Sequence, residues 1–310
     1  MSQSAIKIME LTKSIKGNVI INNISFNIPK GSVTALLGPN GAGKSTLMKL
    51  LSGAIKPEFG TMILLGGNIK DPSIRSQVGY IPEHLEFPPR ATPYNYLFQL
   101  CVLNSMNAIT AQEHIHLFAH HFDFESFLNK RFSTLSAGMK QKIRIAVGFM
   151  RQHLELLLID EPTTNLDFLA RESFFKFLKQ QIKETKLSIL YSSHILSEVT
   201  RLAHHLLVLD QGKIVQNSSL TVDDSSSRIK SYSLVVNNIQ KALQILQSHK
   251  FDAYQTSDHY LLLTLKSDQN TGDFLDLLRN HKIEIYSFSE QPFIELFTRF
   301  SNPDKLINTK

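Results

Sequence analysis

The sequence has a single cysteine and no long apolar run, and both shortages limit what the chain can be. Cys101 stands alone in a chain of 310 residues, which excludes an internal disulfide and fits a reducing compartment. No stretch approaches the roughly 18 uninterrupted apolar residues of a membrane-spanning helix. Met1–Lys7 leads into polar sequence without the apolar core of a signal peptide. We therefore expect neither a membrane span nor a secretion signal.

Concentrated basic charge is also missing. The net charge is +6, and the lysines and arginines are scattered, with no basic stripe interleaved with aromatic residues. A nucleic-acid partner is therefore not expected. The 42% apolar and 19% charged content is typical of a soluble globular protein, and the length allows one large domain or two ordinary ones.

A glycine-rich segment fits the pattern Gly-x-x-x-x-Gly-Lys-[Ser/Thr]. The apolar run Val33–Leu37 before it predicts a buried strand, and Leu47–Leu51 after it predicts a helix. Backbone N–H groups of such a loop, with the positive end of the helix dipole, form an anion site. The predicted phosphate-binding residues are Gly38, Pro39, Asn40, Gly41, Ala42, Gly43, Lys44, Ser45 and Thr46.

Two side chains of this loop have distinct expected roles. Lys44 would reach the β- and γ-phosphates of a nucleotide, and Ser45 would place its hydroxyl oxygen on Mg²⁺. The alternative is a glycine-rich turn that only links two elements. Lysine and serine directly after the last glycine favour the phosphate site.

Two carboxylates follow a second buried strand. Leu156–Ile159 is wholly apolar and ends in Asp160 and Glu161, where an α/β sheet presents ligand-binding groups. Asp160 would hold Mg²⁺ through water, opposite Ser45, and Glu161 would orient the water that attacks the γ-phosphate. The alternative is a polar strand end before a turn at Pro162.

The remaining pattern predicts an α/β fold with two additions. Alternating runs at Ala5–Leu11 and Val19–Ile28 predict antiparallel strands, and helical periodicity from about 88 to 151 predicts a helical insertion. Strands alternating with helices then predict a parallel sheet, with strands at Gln77–Ile81, Leu154–Ile159, Leu187–Tyr191 and Leu206–Leu209, and helices at Phe168–Glu184 and Ile195–Leu202.

A polar, serine-rich stretch separates a smaller module. We expect a first domain over residues 1–216, a linker over 217–230 and a second domain over 231–310. The order βαββαβ in the second domain resembles a small ferredoxin-like module, followed by an amphipathic segment at Pro292–Phe300. No internal repeat is evident in it.

The stretch Leu135–Gln141 carries a family resemblance. It opens a predicted helix with Ser136 as N-cap, and it lies between the glycine-rich loop and the two carboxylates. With these motifs the chain resembles the nucleotide-binding subunit of an ATP-binding-cassette (ABC) transporter, a P-loop NTPase. The family's Leu-Ser-Gly-Gly-Gln presents a serine and a helix N-terminus to a γ-phosphate held by a second subunit. Ser136 and Gly138 are the corresponding phosphate-facing residues.

The resemblance extends over about residues 5–216. Thr164–Asp167 looks like the loop that crosses the dimer interface, and His194 stands where the family has a switch histidine that senses the γ-phosphate. ATP and Mg²⁺ are the implied cofactors. Two ATP molecules are expected between two head-to-tail cassettes, and Glu161, His194 and Glu83 are the expected catalytic residues.

Three departures from the family pattern involve four positions. Ile15 replaces the usual aromatic residue that stacks on adenine, Glu83 replaces the usual glutamine, and Ala137 and Met139 replace a glycine and a glutamine. Glu83 could still accept a hydrogen bond from water or approach Mg²⁺, but it adds negative charge beside the phosphates. Hydrolysis is still expected, because Lys44, Ser45, Asp160, Glu161 and His194 are all present.

These expectations define a function. The chain is expected to be an ATPase subunit that forms a homodimer and drives a separate integral-membrane permease from the cytoplasmic face of the membrane. A weaker resemblance of the tail to extensions of exporter subunits favours export. The alternatives are a soluble ABC ATPase that acts on ribosomes or DNA and a switch that binds ATP without hydrolysing it.

Four histidines lie close together in the predicted insertion. His114, His116, His120 and His121 fall on one predicted helix, and the spacing of His116 and His120 could chelate a metal. No cysteine and few acidic residues lie nearby in the sequence. A solvated helix face is the preferred interpretation.

Overall fold

The computed structural model describes residues 4–162, 166, 168–193, 202–219, 230–255, 261–265 and 269–290. The chain divides into two compact units, the first holding the described residues up to 219 and the second those from 230. Nearly all of the predicted helix Ile195–Leu202, most of the predicted linker and the segment Pro292–Phe300 lie outside the described residues. The extent of the linker and of the second domain therefore stays a prediction.

The first unit alternates strands and helices along the chain. In order, its elements are β1 (Ser4–Ile15), β2 (Asn18–Pro29), β3 (Val33–Leu37), α1 (Lys44–Leu51), β4 (Phe59–Leu64), α2 (Pro72–Arg75), β5 (Val78–Ile81), α3 (Pro93–Leu103), α4 (Ala108–His121), α5 (Ala137–Phe149), β6 (Leu156–Asp160), α6 (Phe168–Thr185), β7 (Ser188–Ser192), β8 (His205–Asp210) and β9 (Lys213–Ser219).

A six-stranded sheet in the order β5-β6-β7-β3-β8-β9 forms the centre of this unit. The first five strands are parallel and β9 pairs antiparallel at the edge. All five residues of β6 are buried, because one face packs on the helical side and the other on α1 and the antiparallel sheet. Such two-sided burial explains why the strand is a continuous apolar run. The predicted α/β fold is confirmed.

The predicted pair of N-terminal strands forms a separate antiparallel sheet, β2-β1-β4. Lys16 and Gly17 both have positive φ in the turn between β1 and β2, and Ile8 pairs with Phe26 across the hairpin. The apolar side chains that alternate along these strands join the same core as α1. The sheet therefore covers the face of the central sheet on which α1 packs.

The predicted helical insertion lies between β5 and β6 and contains α3, α4 and α5. Side-chain oxygens cap α3 and α4: Thr92 accepts from the Asn95 amide and Asn107 from the Thr110 amide. A buried aromatic cluster joins the insertion to α6, and its members are Phe118, Phe122, Phe149, Phe174 and Phe177. The insertion thus shares one core with the helical face of the central sheet.

Helix α5 lies in backbone contact with β5. A Cβ on Gly79 would stand 2.1 Å from the carbonyl oxygen of Gly148, and a Cβ on Gly148 would stand 2.3 Å from Cγ1 of Ile81. Glycine at both positions is what permits this approach. The end of α5 is also held by Arg151, whose Nε donates to the carbonyl oxygen of Val78 at 3.0 Å.

Strand β9 extends into the first three residues of the predicted linker. It continues through Ser219, and His205 pairs with Ser219 and Leu207 with Asn217. Polar residues of this kind favour loops, but an edge strand needs only backbone partners and tolerates polar side chains. The neighbouring strand β8 supplies those partners, so residues 217–219 belong to the sheet.

The second unit has the predicted order βαββαβ, with β10 (Lys230–Val236), α7 (Ile239–Ser248), β11 (Asp252–Gln255), β12 (Leu261–Leu265), α8 (Thr271–Asn280) and β13 (Ile285–Glu290). Its four-stranded antiparallel sheet has the order β11-β12-β10-β13. The two helices end alike: Nδ1 of His249 and of His281 each lies 2.9 Å from the carbonyl oxygen four residues earlier. The following Lys250 and Lys282 both have positive φ.

The contact between α5 and β5 gives a stability prediction. Gly79→Ala should lower the free energy of unfolding by about 1–3 kcal/mol, because its methyl group would collide with backbone that cannot rotate away. Gly272→Ala is the matched control, since a Cβ there approaches only the Asn270 side chain, at 3.1 Å. Urea unfolding of both variants would test this. Equal stability of the two variants would contradict the close packing.

Candidate functional site

The glycine-rich segment forms a loop between β3 and α1. Gly43 has φ of 107° directly before the helix, and a Cβ there would stand 2.9 Å from the Ile20 carbonyl oxygen, so both conformation and space require glycine. Lys44 is 7% exposed, and its Nζ donates to the carbonyl oxygens of Gly38 at 2.8 Å and Pro39 at 3.1 Å. The loop therefore wraps around the lysine ammonium group.

Asp160 ends β6 beside this loop and is 1% exposed. It pairs in register with Ser192 at the end of β7, whose hydroxyl donates to Oδ1 of Asp160 at 2.7 Å. Burial raises the pKa of Asp160, and hydrogen bonds from Ser192 and Ser45 oppose that shift. Ser45, the residue after Lys44, therefore forms a hydrogen bond with the carboxylate that is predicted to hold the metal ion.

Glu161 follows with a left-handed backbone conformation, φ of 49°. Its amide donates to the carbonyl oxygen of Ser192 at 3.2 Å, which holds the chain in this turn. A positive φ costs a non-glycine residue about 1–2 kcal/mol, and such strain is commonest at functional sites. The turn separates the surroundings of Glu161 from those of Asp160, which allows neighbouring carboxylates to act differently.

Glu83 reaches the same edge of the sheet from β5. It lies two residues beyond the strand end, is half-buried, and has Oε1 3.4 Å from Nε2 of His84. Burial lowers the pKa of Lys44, while the charges of Glu161, Asp160 and Glu83, in that order, oppose the shift. Three carboxylates predicted from two separate parts of the sequence thus act on one buried ammonium group.

The donor set of this edge fits a nucleotide with a hard divalent cation. The Ser45 hydroxyl and the Asp160 carboxylate supply the oxygen ligands that Mg²⁺ prefers. The loop backbone, Lys44 and the N-terminus of α1 supply the positive potential that phosphates need. Glu161 and Glu83 add carboxylates that could orient a water molecule.

Ser136 and Gly138 lie at the start of α5, as predicted. Oγ of Ser136 accepts from the Met139 amide at 3.2 Å, and Ser136 is exposed at the helix N-terminus. Gln141, later in the helix, is buried and its Nε2 donates to the carbonyl oxygen of Pro162. This bond ties the start of α5 to the chain just beyond Glu161.

The structure does not describe several of the predicted site residues. His194 and three residues of the predicted interface loop, Thr164, Asn165 and Asp167, lie outside the described residues. Ile15 ends β1 and is 42% exposed.

The four histidines of α4 make contacts that differ from one another. Nε2 of His114 lies 2.9 Å from the Phe149 carbonyl oxygen, and Nδ1 of His120 lies 3.4 Å from Glu125. The rings of His116 and His121 contact Tyr94 and Phe177. The predicted solvated face holds for His116 and His120, whereas His114 and His121 are half-buried.

Three residues of this edge were not predicted from the sequence. Ser192 donates to Asp160, Tyr80 has a buried hydroxyl near Asp160 and Glu83, and Arg144 is buried on α5. The position of Ser192 at the end of an apolar strand was the sequence pattern that could have identified it as a site residue. An arginine inside the apolar run that begins at Ile143 was the signal for Arg144.

The chain is similar to proteins of one family. The family model described as "ABC transporter" matches residues 21–164. The lantibiotic transport ATP-binding protein SrtF of Streptococcus pyogenes is 34% identical over 210 residues, covering 68% of this chain and 89% of that protein. The Nod factor export ATP-binding protein I of Bradyrhizobium diazoefficiens is 34% identical over 214 residues, covering 68% of this chain and 69% of that protein.

A solved structure of an ATP-binding subunit of an ABC transporter superposes with a TM-score of 0.65. It is 26% identical and covers 70% of this chain and 90% of that one. Within the part of the chain that the structure describes, no helix is both long enough and apolar enough to span a bilayer.

The buried carboxylate gives a pH-dependent prediction. Because burial raises the pKa of Asp160, its ionisation penalises folding: the penalty is absent below the ordinary aspartate pKa and complete above the raised one. Asp160→Asn should therefore stabilise the nucleotide-free protein at pH 8 and change its stability less at pH 4.

Urea unfolding at both pH values measures this difference. Asp123→Asn, at a side chain that is 97% exposed, is the matched control and should show no such gain at pH 8. A loss of stability in Asp160→Asn that is equal at pH 4 and pH 8 would contradict the dominance of burial.

Proposed function

The chain belongs to the ABC transporter family and is an ATPase, and from this premise we propose that it is the motor subunit that drives a separate integral-membrane permease. The observation that carries the proposal is the meeting of Lys44, Ser45, Asp160, Glu161 and Glu83 at one edge of the central sheet. A phosphate site, a metal site and a water-orienting carboxylate are the parts that nucleotide hydrolysis requires.

The binding step follows from the loop. Residues Gly38–Thr46 would hold the phosphates of ATP with their backbone N–H groups, and Lys44 would move from the loop carbonyl oxygens to the β- and γ-phosphates. Ser45 and Asp160 would hold Mg²⁺, which neutralises charge developing on the phosphate oxygens. The Ser192 hydroxyl keeps the Asp160 carboxylate oriented for this role.

The hydrolytic step falls to the residues next to this pair. Glu161 would accept a hydrogen bond from the attacking water and align it with the γ-phosphate. Glu83 would approach the same water or the Mg²⁺ shell from β5. His194 would contact the γ-phosphate and detect its loss.

A second cassette would complete the site. Ser136 is exposed at the N-terminus of α5, and Gly138 lies in the first turn, so a hydroxyl and free helix amides are available to a phosphate on another molecule. Two copies of this chain, head to tail, would enclose two ATP molecules. Binding would close the dimer, and hydrolysis would reopen it.

The direction of transport is proposed from the relatives. One is a lantibiotic transport protein and another a Nod factor export protein by name, and both align over about two thirds of this chain. We infer export by a permease, with this subunit at the cytoplasmic face of the cell membrane. The helical insertion and the segment Glu83–Asn95 would transmit closure to the permease.

The assigned role of Glu161 can be tested by one substitution. Glu161→Gln keeps the size of the side chain and removes the charge, so hydrolysis should fall by about 10²–10⁴-fold while ATP binding and the ATP-dependent dimer are retained. Lys44→Ala is the matched variant for the binding step, since its free energy of nucleotide binding should be weaker by roughly 2–5 kcal/mol.

Phosphate release, ATP binding and size-exclusion chromatography with ATP would measure the two variants. Turnover in Glu161→Gln equal to that of the wild type would contradict the role of this carboxylate.

Partner capture tests the transporter assignment. Tagged Glu161→Gln protein, held closed by ATP, should recover a polytopic membrane protein from detergent-solubilised membranes of its native host. The Lys44→Ala variant should recover less of it in the presence of ATP. Recovery of ribosomal or DNA-associated proteins without a membrane partner would overturn the proposal in favour of a soluble ATPase.

A further inference from the structure

A positively charged side chain lies inside the helical part of the first unit. Arg144 of α5 is 7% exposed, and in the described part of the chain its Nε and Nη2 atoms have no hydrogen-bond partner. Leaving a buried donor unpaired is costly, more so for a charged group. A buried arginine with unpaired donors is therefore expected to have a negatively charged group nearby.

Two contacts of α5 establish where this arginine lies. Gly148, one turn after Arg144, meets Gly79 in the first half of β5. Gln141, almost one turn before Arg144, donates a hydrogen bond to the carbonyl oxygen of Pro162, beyond the end of β6. Residues three or four apart share one face of a helix. Arg144 therefore lies between these two contacts, over the carboxyl ends of β5 and β6.

The charged groups that act on Arg144 are those of the site. The charge of Glu83, just beyond β5, and then that of Asp160 favour the charged form of Arg144 and oppose the lowering of its pKa by burial. Asp160 already has Ser192, Ser45 and Lys44 as favourable partners. Among the described residues, the ion-pair partner of Glu83 is the ring of His84, whose side chain is 87% exposed. Glu83 therefore has fewer favourable partners than Asp160, and Arg144 is the positive group that can offset its charge.

We propose that Arg144 is the internal counter-cation of Glu83, a positioning residue whose buried positive charge offsets the charge of that carboxylate beside the phosphates. The inference rests on the proposed place of Glu83 at the nucleotide. It joins two features that look unrelated in the sequence, a glutamate where the family usually has glutamine and a buried arginine on α5. Each compensates for the other.

A double-mutant cycle tests the pair. The full-length wild type is compared with Arg144→Met, Glu83→Gln and the variant that carries both substitutions. Arg144→Met should raise the KM for MgATP about tenfold, because Glu83 then opposes the phosphates without compensation. The double variant should have a KM within about threefold of that of Glu83→Gln alone. Arg144→Lys keeps the charge and should remain close to the wild type.

The same cycle is measured by urea unfolding without nucleotide. Each single substitution leaves one charge of the pair without its partner, so each should lower the unfolding midpoint, and the double variant should recover part of the loss. If Arg144→Met does not fold, the double variant should still do so. A purely structural arginine would show no such rescue by a substitution at Glu83.

The outcomes separate the inference from the proposed function. If Arg144→Met has the same effect in the wild-type background as in the Glu83→Gln background, in both KM and unfolding, the pair is overturned. Coupling in unfolding without coupling in KM would support the pair and contradict the place of Glu83 at the phosphates. Failure of the double variant to fold would also overturn the inference.

Discussion

The carboxyl edge of the central sheet gathers several charges where little water reaches them, and the first unit depends on how these charges are satisfied. Asp160 and Lys44 are almost fully buried, yet each has defined partners: a serine hydroxyl for the carboxylate, loop carbonyl oxygens for the ammonium. Unpaired, either charge would destabilise the fold by several kcal/mol. The same buried charges are the ones that a nucleotide and a cation would rearrange, so stability and activity compete at this edge.

Helix α5 connects the helical insertion to that edge. Its C-terminal half is fixed by backbone contact between Gly148 and Gly79, and its N-terminal half by the hydrogen bond from Gln141 to Pro162. These two contacts fix the position of α5 relative to the two strand ends. A change at Glu161 or Glu83 can therefore reach Ser136, the residue that would meet a second cassette.

Most of the central fold could be predicted from the sequence, because the patterns that indicate its strands, helices and loop are local. β6 is an apolar run buried on both faces, and the loop before α1 has a glycine-lysine-serine spacing with one common use. The edge strand β9 was not predicted, since it is held by β8 and not by its own propensity. Arg144 was missed because the group that explains it lies on another strand, and no local pattern identifies such a partner.

Departures from a family pattern are therefore better interpreted in spatial groups than singly. Glu83 alone suggests a weakened or altered site, since it adds a negative charge beside phosphates. With Arg144 buried over the same strand ends, the net charge at that position returns to that of a glutamine. The site then keeps a carboxylate able to orient water while its electrostatic potential still favours an anion. A glutamate and a buried arginine that would each impair the cassette alone can together leave ATP hydrolysis intact.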